Sequence, residues 1–193
     1  MNRSAISRRN AIQSIAIDAL FTGTLAAFHA RSMAYSVPQE LGAAVPDAVL
    51  SGSGRLRVFG FQVYDAALWV APGFKPGAFA RYPFALELSY LREFSGPMIA
   101  QRSLDEMRRI GNFTDAQADA WQRAMEAAFP DVKKGDRITG VHKPGVGATF
   151  LTNGKPSGEV RDPEFARLFF GIWLSPNTSQ PQLRQALLAK LAP

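Results

Sequence analysis

The stretch Phe129-Pro-Asp-Val-Lys-Lys-Gly-Asp-Arg-Ile-Thr-Gly-Val-His142, followed by Thr149-Phe-Leu-Thr-Asn-Gly-Lys155, decides the fold. Asn153-Gly154 stands between two apolar alternations, and a type I′ turn needs positive φ at both central residues, which Asn and Gly tolerate best. The pattern predicts strands over Asp136 to His142, Gly147 to Thr152 and Lys155 to Val160. Upstream, Phe84, Leu86, Leu88 and Tyr90 alternate with Ala85, Glu87 and Ser89, the period-two signature of a half-buried strand. Further out, Gly52-Ser53-Gly54 opens a strand pattern from Leu56 to Tyr64. Ala66 to Ala71 follows as another apolar stretch, closed by Pro72-Gly73. Residues 35–50, small and proline-bearing, read as an irregular lead-in.

Four helices fill the remaining sequence. The first starts near Pro97, where a missing N–H costs nothing, and runs through Ala100, Leu104 and Met107 to a stop at Gly111. The second opens on a capping box, Thr114 with Gln117 three later, and carries the stripe Ala118, Trp121, Met125, Ala128. Asp162-Pro163 opens the third, with Phe165, Leu168, Phe169 and Ile172 inward. The fourth follows Asn177-Thr178-Ser179, with Leu183, Leu187 and Leu191 at helical spacing. Strands, two helices, a hairpin and two more helices do not alternate as a parallel sheet requires. The order predicts an α+β fold, an antiparallel sheet with helices on one face.

The chain has 193 residues, of which 47% are apolar and 20% charged, enough for one domain with a real core. Its formal charge is +6. Arg3, Arg8, Arg9 and Arg31 against Asp18 place half of that in residues 1–34, leaving +3 for the rest. No basic stripe with interleaved aromatics appears, which argues against nucleic acid as a partner. There is no cysteine, hence no disulfide framework and no thiol nucleophile.

Ser7-Arg8-Arg9 precedes a mostly apolar run from Ala11 to Phe28, and Ser32 and Ala34 then form an A-x-A-like cleavage site. The pattern resembles a twin-arginine export signal over residues 1–34, which would place residues 35–193 in a bacterial periplasm. The alternative is an amphipathic N-terminal arm, since Gln13, Ser14 and Asp18 interrupt the run. Nothing else reaches the ~18 apolar residues of a membrane span, so the mature part is expected to be soluble, with no transmembrane segment.

Catalytic signatures are missing. His29 lies in the signal segment. His142, beside Lys143 at a strand end, reads as a surface or packing residue. No G-x-S-x-G elbow, zinc ligand set, Walker loop or dinucleotide fingerprint is present, so neither a metal nor a cofactor is expected.

Val63-Tyr-Asp-Ala-Ala-Leu-Trp69, the Asp131–Gly140 block and Phe170-Gly-Ile-Trp-Leu174 together resemble the chalcone isomerase-like family, in its bacterial exported branch. The resemblance runs from about Gly52 to Leu191. It implies an open-faced β-sandwich, a large curved antiparallel sheet covered by helices with an apolar cleft between. In the family's plant enzymes an arginine, a threonine, a tyrosine and an asparagine hold a chalcone and stabilise an oxyanion. Here Arg92-Glu-Phe-Ser-Gly-Pro97 resembles the segment leading into the helix with the last two. The resemblance puts Ile99 in the tyrosine slot, Glu106 in the asparagine slot, Phe59 in the threonine slot and Leu56, flanked by Arg55 and Arg57, in the arginine slot. Isoleucine donates no hydrogen bond and a carboxylate repels an oxyanion, so no catalytic residue is assigned.

The expectation is therefore a non-catalytic protein that holds a small apolar or carboxylate-bearing ligand, such as a fatty acid or a phenolic. Phe59, Phe61, Phe84, Leu88 and Ile99 would form the wall, Arg57 or Arg55 would pair with a carboxylate, and Tyr64 and Tyr90 would supply hydroxyls. Two alternatives stand beside it: a chalcone isomerase-type intramolecular lyase, and a periplasmic interaction module with a filled core and no pocket.

Overall fold

In the computed structural model, which describes residues 37–191, six strands form one antiparallel sheet in simple sequence order. They are β1 (Val49–Val58), β2 (Phe61–Val70), β3 (Phe84–Tyr90), β4 (Arg137–Lys143), β5 (Gly147–Thr152) and β6 (Lys155–Val160). Helices α1 (Gly96–Ile110) and α2 (Asp115–Ala128) interrupt the meander between β3 and β4, and α3 (Pro163–Leu174) and α4 (Pro181–Leu187) follow it. The α+β order expected from the sequence is the one observed. The residues read as an export signal lie outside the described ones.

The helices start where side chains replace missing backbone partners. Ser95 caps α1, and Thr114 and Gln117 cap α2 reciprocally. Asp162 caps α3 with one carboxylate oxygen and accepts the Trp121 indole N–H with the other at 2.9 Å, joining α2 to α3. Helix α3 is buried on nearly all sides. A helix with that much apolar surface belongs in the middle, and it packs against both α1 and β5.

The alternation of β2 and β3 sorts their side chains onto two faces. Tyr64, Ala66, Leu68 and Val70 join Phe84, Leu86, Leu88 and Tyr90 in the core under the helices. Phe150, Phe165, Phe169 and Phe170 meet there in a set of mostly edge-to-face contacts, and each buried ring contributes about 1.5–3 kcal/mol. His142 is part of this packing. Its ring stacks on Phe84 at 4.7 Å, and Nδ1–H donates to the Tyr82 carbonyl at 2.8 Å. Burial holds its pKa below the ordinary value, so it stays neutral.

The opposite face is covered as well. Trp69, Ala85, Val141 and Leu151 pack against Leu41 and Val45 of the lead-in. Arg137 ties that segment down through Glu40 at 2.6 Å and reaches buried Glu87 at 3.4 Å. Both clusters lie within Tyr35–Pro193, a self-contained unit.

The run Leu56 to Tyr64 is not one strand. It is a hairpin turning at Phe59-Gly60, with φ of +48° and +82° and Val58 paired to Phe61. The apolar pattern continues through the turn, and a phenylalanine in the first turn position hides the signal. Gly52, read as a strand opener, lies inside β1 under α4: a Cβ there would stand 2.1 Å from the Ala186 carbonyl oxygen. Ser51 Oγ fixes the same contact by donating to the Leu187 carbonyl at 2.8 Å.

Candidate functional site

Register sets three side chains in a row across three strands. Tyr64 stands opposite Leu56 on one side and Tyr90 on the other. The two tyrosine rings meet edge to face with centroids 6.0 Å apart, and Tyr90 touches Phe94. From the helical layer, Trp173 donates its indole N–H to the Tyr64 hydroxyl at 2.9 Å. Helix α1 adds Ile99, Ser103 and Glu106, spaced so that they share one face. Ile99 packs on the same core as both tyrosines, and Ser103 Oγ is tied back to the Ile99 carbonyl at 2.8 Å.

The electrostatics of this corner are unusual for an apolar interior. Glu106 is only 7% exposed. Arg102, one turn away, pairs with Oε1, while Arg109 Nε stands 3.7 Å from Oε2. Oε2 has no hydrogen bond among the described residues, and an unmade bond of that kind costs about 1–3 kcal/mol. Burial pushes the Tyr64 phenol far up. The Trp173 hydrogen bond pulls it partly back, Glu106 pushes it further up and Arg102 opposes. Tyr90 is raised by burial and by Tyr64. Both phenols therefore stay protonated and serve as hydrogen-bonding groups rather than bases. A buried carboxylate beside them opposes a developing oxyanion and favours a ligand that donates a hydrogen bond.

Of the residues singled out from the sequence, the structure brings together Tyr64, Tyr90 and Ile99. Phe84 and Leu88 belong to the same core. Arg55, Arg57 and Phe59 lie elsewhere. Leu56 packs against the helix-side core, so its neighbour Arg55 points to the other face. There Arg55 forms a fork with Asp65, at 2.6 and 2.7 Å, and a further bond to Gln62. Arg57 is exposed, and Phe59 sits at the hairpin tip with 97% of its surface open.

Trp173 is not among the site residues read from the sequence. The signal that would have found its role is the indole N–H itself, which in an apolar helix needs an acceptor.

Two surface concavities are open, and one of them borders this corner through Phe94, the residue that Tyr90 touches. One, of about 560 Å³, is lined by Phe94, Met98, Asp131 and Lys133 among others. The second, of about 510 Å³, lies between Phe129 and Pro156. Neither is lined by Tyr64, Tyr90 or Glu106. No group of three or more acidic or histidine side chains is placed to hold a metal ion among the described residues. Likewise, no described helix is long and apolar enough to cross a membrane.

A meander sheet roofed by four helices, with a tyrosine pair against the first of them, defines the class of protein. The chain belongs to the chalcone isomerase-like family, whose model matches residues 32–189. An uncharacterized protein of Haemophilus influenzae is 29% identical over 108 residues, 56% of this chain and 52% of that one. The chain thus spans about half the length of that curated relative. The crystal structure of a fatty-acid binding protein of Arabidopsis thaliana matches with a TM-score of 0.59 and 13% identity, covering 80% of this chain and 91% of that one. At that identity the likeness establishes the shared fold.

Proposed function

We propose that this protein binds a small apolar or amphipathic molecule between the sheet and α1, at Tyr64, Tyr90 and Ile99, and does not catalyse its conversion. One observation carries the reading: a polar constellation is held inside an otherwise apolar interior. It consists of the Tyr64 hydroxyl on Trp173 and the buried Glu106 carboxylate, whose Oε2 stands 3.7 Å from Arg109 and makes no hydrogen bond among the described residues. Groups of this kind are costly to bury and fix the orientation of a ligand when one is present. Half-buried Leu56 and Phe94, neighbours of the two tyrosines, mark the seam along which α1 would part from the sheet. The solved fatty-acid binding protein of the same fold supports the choice of an aliphatic ligand.

The non-catalytic part rests on chemistry. Ile99 has no proton to donate, and the negative Glu106 would raise the energy of an enolate or phenolate beside it. The Arg8-Arg9 segment supports export, and we place the site of action in the periplasm.

The test is a titration of Tyr35–Pro193 with palmitate and, separately, hexadecanol, followed by tryptophan fluorescence. Saturable one-to-one binding of either, weakened by Ile99→Trp, supports the proposal, and the alcohol should bind more tightly because it can donate to Glu106. No binding of either ligand refutes it. A second reading, an interaction module with a filled interior, is favoured because neither concavity is lined by Tyr64, Tyr90 or Glu106.

A further inference from the structure

We propose that the β1–β2 hairpin tip is a docking element for an anionic lipid bilayer. Backbone contact between β2 and the β3 side ends where the Leu91 N–H donates to the Val63 carbonyl, whereas β1 and β2 stay paired out to Val58 and Phe61. The hairpin therefore runs about 7 Å past its neighbouring strand, at ~3.3 Å per residue.

The end of this projection is apolar. Phe59 is 97% exposed, Phe61 61% and Val58 39%. Phe59 also holds a φ of +48°, a region that costs a non-glycine L-residue free energy and suits Asn far better than an aromatic. The fold recovers nothing from the ring, since almost none of it is covered. A residue that strains the backbone and packs on nothing in its own chain fits a role outside the chain.

The charges around the tip select the partner. Arg57 is exposed, and the Arg92 guanidinium lies 4.8 Å over the Phe61 ring. Asp65, the nearest acid on the hairpin, is already held by Arg55. Glu93 borders the Phe94 concavity together with Lys133. Arginines set behind exposed phenylalanines match the boundary between anionic head groups and acyl chains, where cations stay in the polar layer and rings enter the apolar one. A protein partner is the weaker match. Two rings offer roughly 300–500 Å² even if wholly used, below the ~800 Å² per partner of a standard interface.

The experiment is co-sedimentation of Tyr35–Pro193 with vesicles of phosphatidylcholine alone and of phosphatidylcholine mixed with phosphatidylglycerol. The expected result is binding to the anionic vesicles that weakens as salt is raised. Phe59→Asn should lose roughly tenfold or more of that binding, and Arg57→Gln and Arg92→Gln about fivefold each. Phe59→Asn should keep the wild-type circular dichroism, since the ring is nearly uncovered. No sedimentation with anionic vesicles, or equal affinity of wild type and Phe59→Asn, overturns the proposal. So does Phe59-dependent self-association without vesicle binding, which would make a second copy of the chain the occupant.

Discussion

Replacing Phe59 with Asn should stabilise the protein, although it removes an aromatic side chain. In the two-residue turn Phe59-Gly60, both residues have positive φ, the type I′ geometry for which Asn-Gly is preferred. Left-handed backbone costs an ordinary L-residue about 1–2 kcal/mol, and Asn considerably less because its short side chain bonds locally. Against this gain stands the packing of a ring that is 97% exposed, so the loss is close to nothing. The net expectation is a gain on the order of 1 kcal/mol. For a domain of this size that is a rise in Tm of about 2–4 °C.

Urea unfolding of Tyr35–Pro193 is the assay, and the midpoint should rise with the m-value unchanged. Two controls separate the causes. Phe59→Ala removes the ring but keeps the strained backbone, and should change little. Phe59→Gly relieves the strain while adding freedom to the unfolded chain, so it should gain less than Asn. A fall in stability for Phe59→Asn would refute the reasoning, because it would mean that the ring contributes packing to the folded chain.

Four further outcomes follow from the geometry. Gly52→Ala pushes a methyl group onto the α4 backbone, 2.1 Å from a carbonyl oxygen, and should cost roughly 1–3 kcal/mol or more; an unchanged urea midpoint would show that α4 shifts freely. His142 is neutral in the fold with its pKa below the ordinary 6.5, so the unfolded chain takes up the proton first and stability is lost as pH falls below about 6.5. His142→Phe should flatten that loss, and parallel pH profiles for the two proteins would count against it. Trp173→Phe leaves the buried Tyr64 hydroxyl without its donor and should cost about 1–3 kcal/mol, read from the unfolding midpoint. A chalcone incubated with the protein should retain its absorption spectrum, and cyclisation above the buffer rate would contradict the non-catalytic reading.

Much of the fold was legible because local chemistry and tertiary demand agree. The Asn153-Gly154 turn, the Thr114–Gln117 box and the Asp162-Pro163 start are read from single residues, and the structure uses each as expected. The first hairpin was hidden for the opposite reason. Phe59 is the wrong residue for its backbone, and the alternation of Phe59, Phe61 and Val63 looks like an unbroken strand. Burial of Leu41 and Val45 on the far face could not be read either, because a three-residue 3-10 turn, Gln39–Leu41, carries no periodicity.

The site was half legible. Alternation places Tyr64 and Tyr90 on the core face, and helical spacing places Ile99 and Glu106 together. Which of Leu56, Arg55 and Arg57 turns inward depends on register, fixed here by the pairing of Leu56 with Tyr64. The sequence shows three neighbours on one strand and nothing that chooses between the faces.

The central claim is that the interior beside Tyr64 and Tyr90 accepts an apolar ligand. Native mass spectrometry of Tyr35–Pro193 purified from a bacterial envelope, followed by lipid extraction, tests it most directly. A stoichiometric apolar ligand in the wild type that is missing from Ile99→Trp is the predicted result. A well-folded, ligand-free wild type that takes up nothing from an envelope lipid extract would contradict it and leave the filled interaction module as the better description.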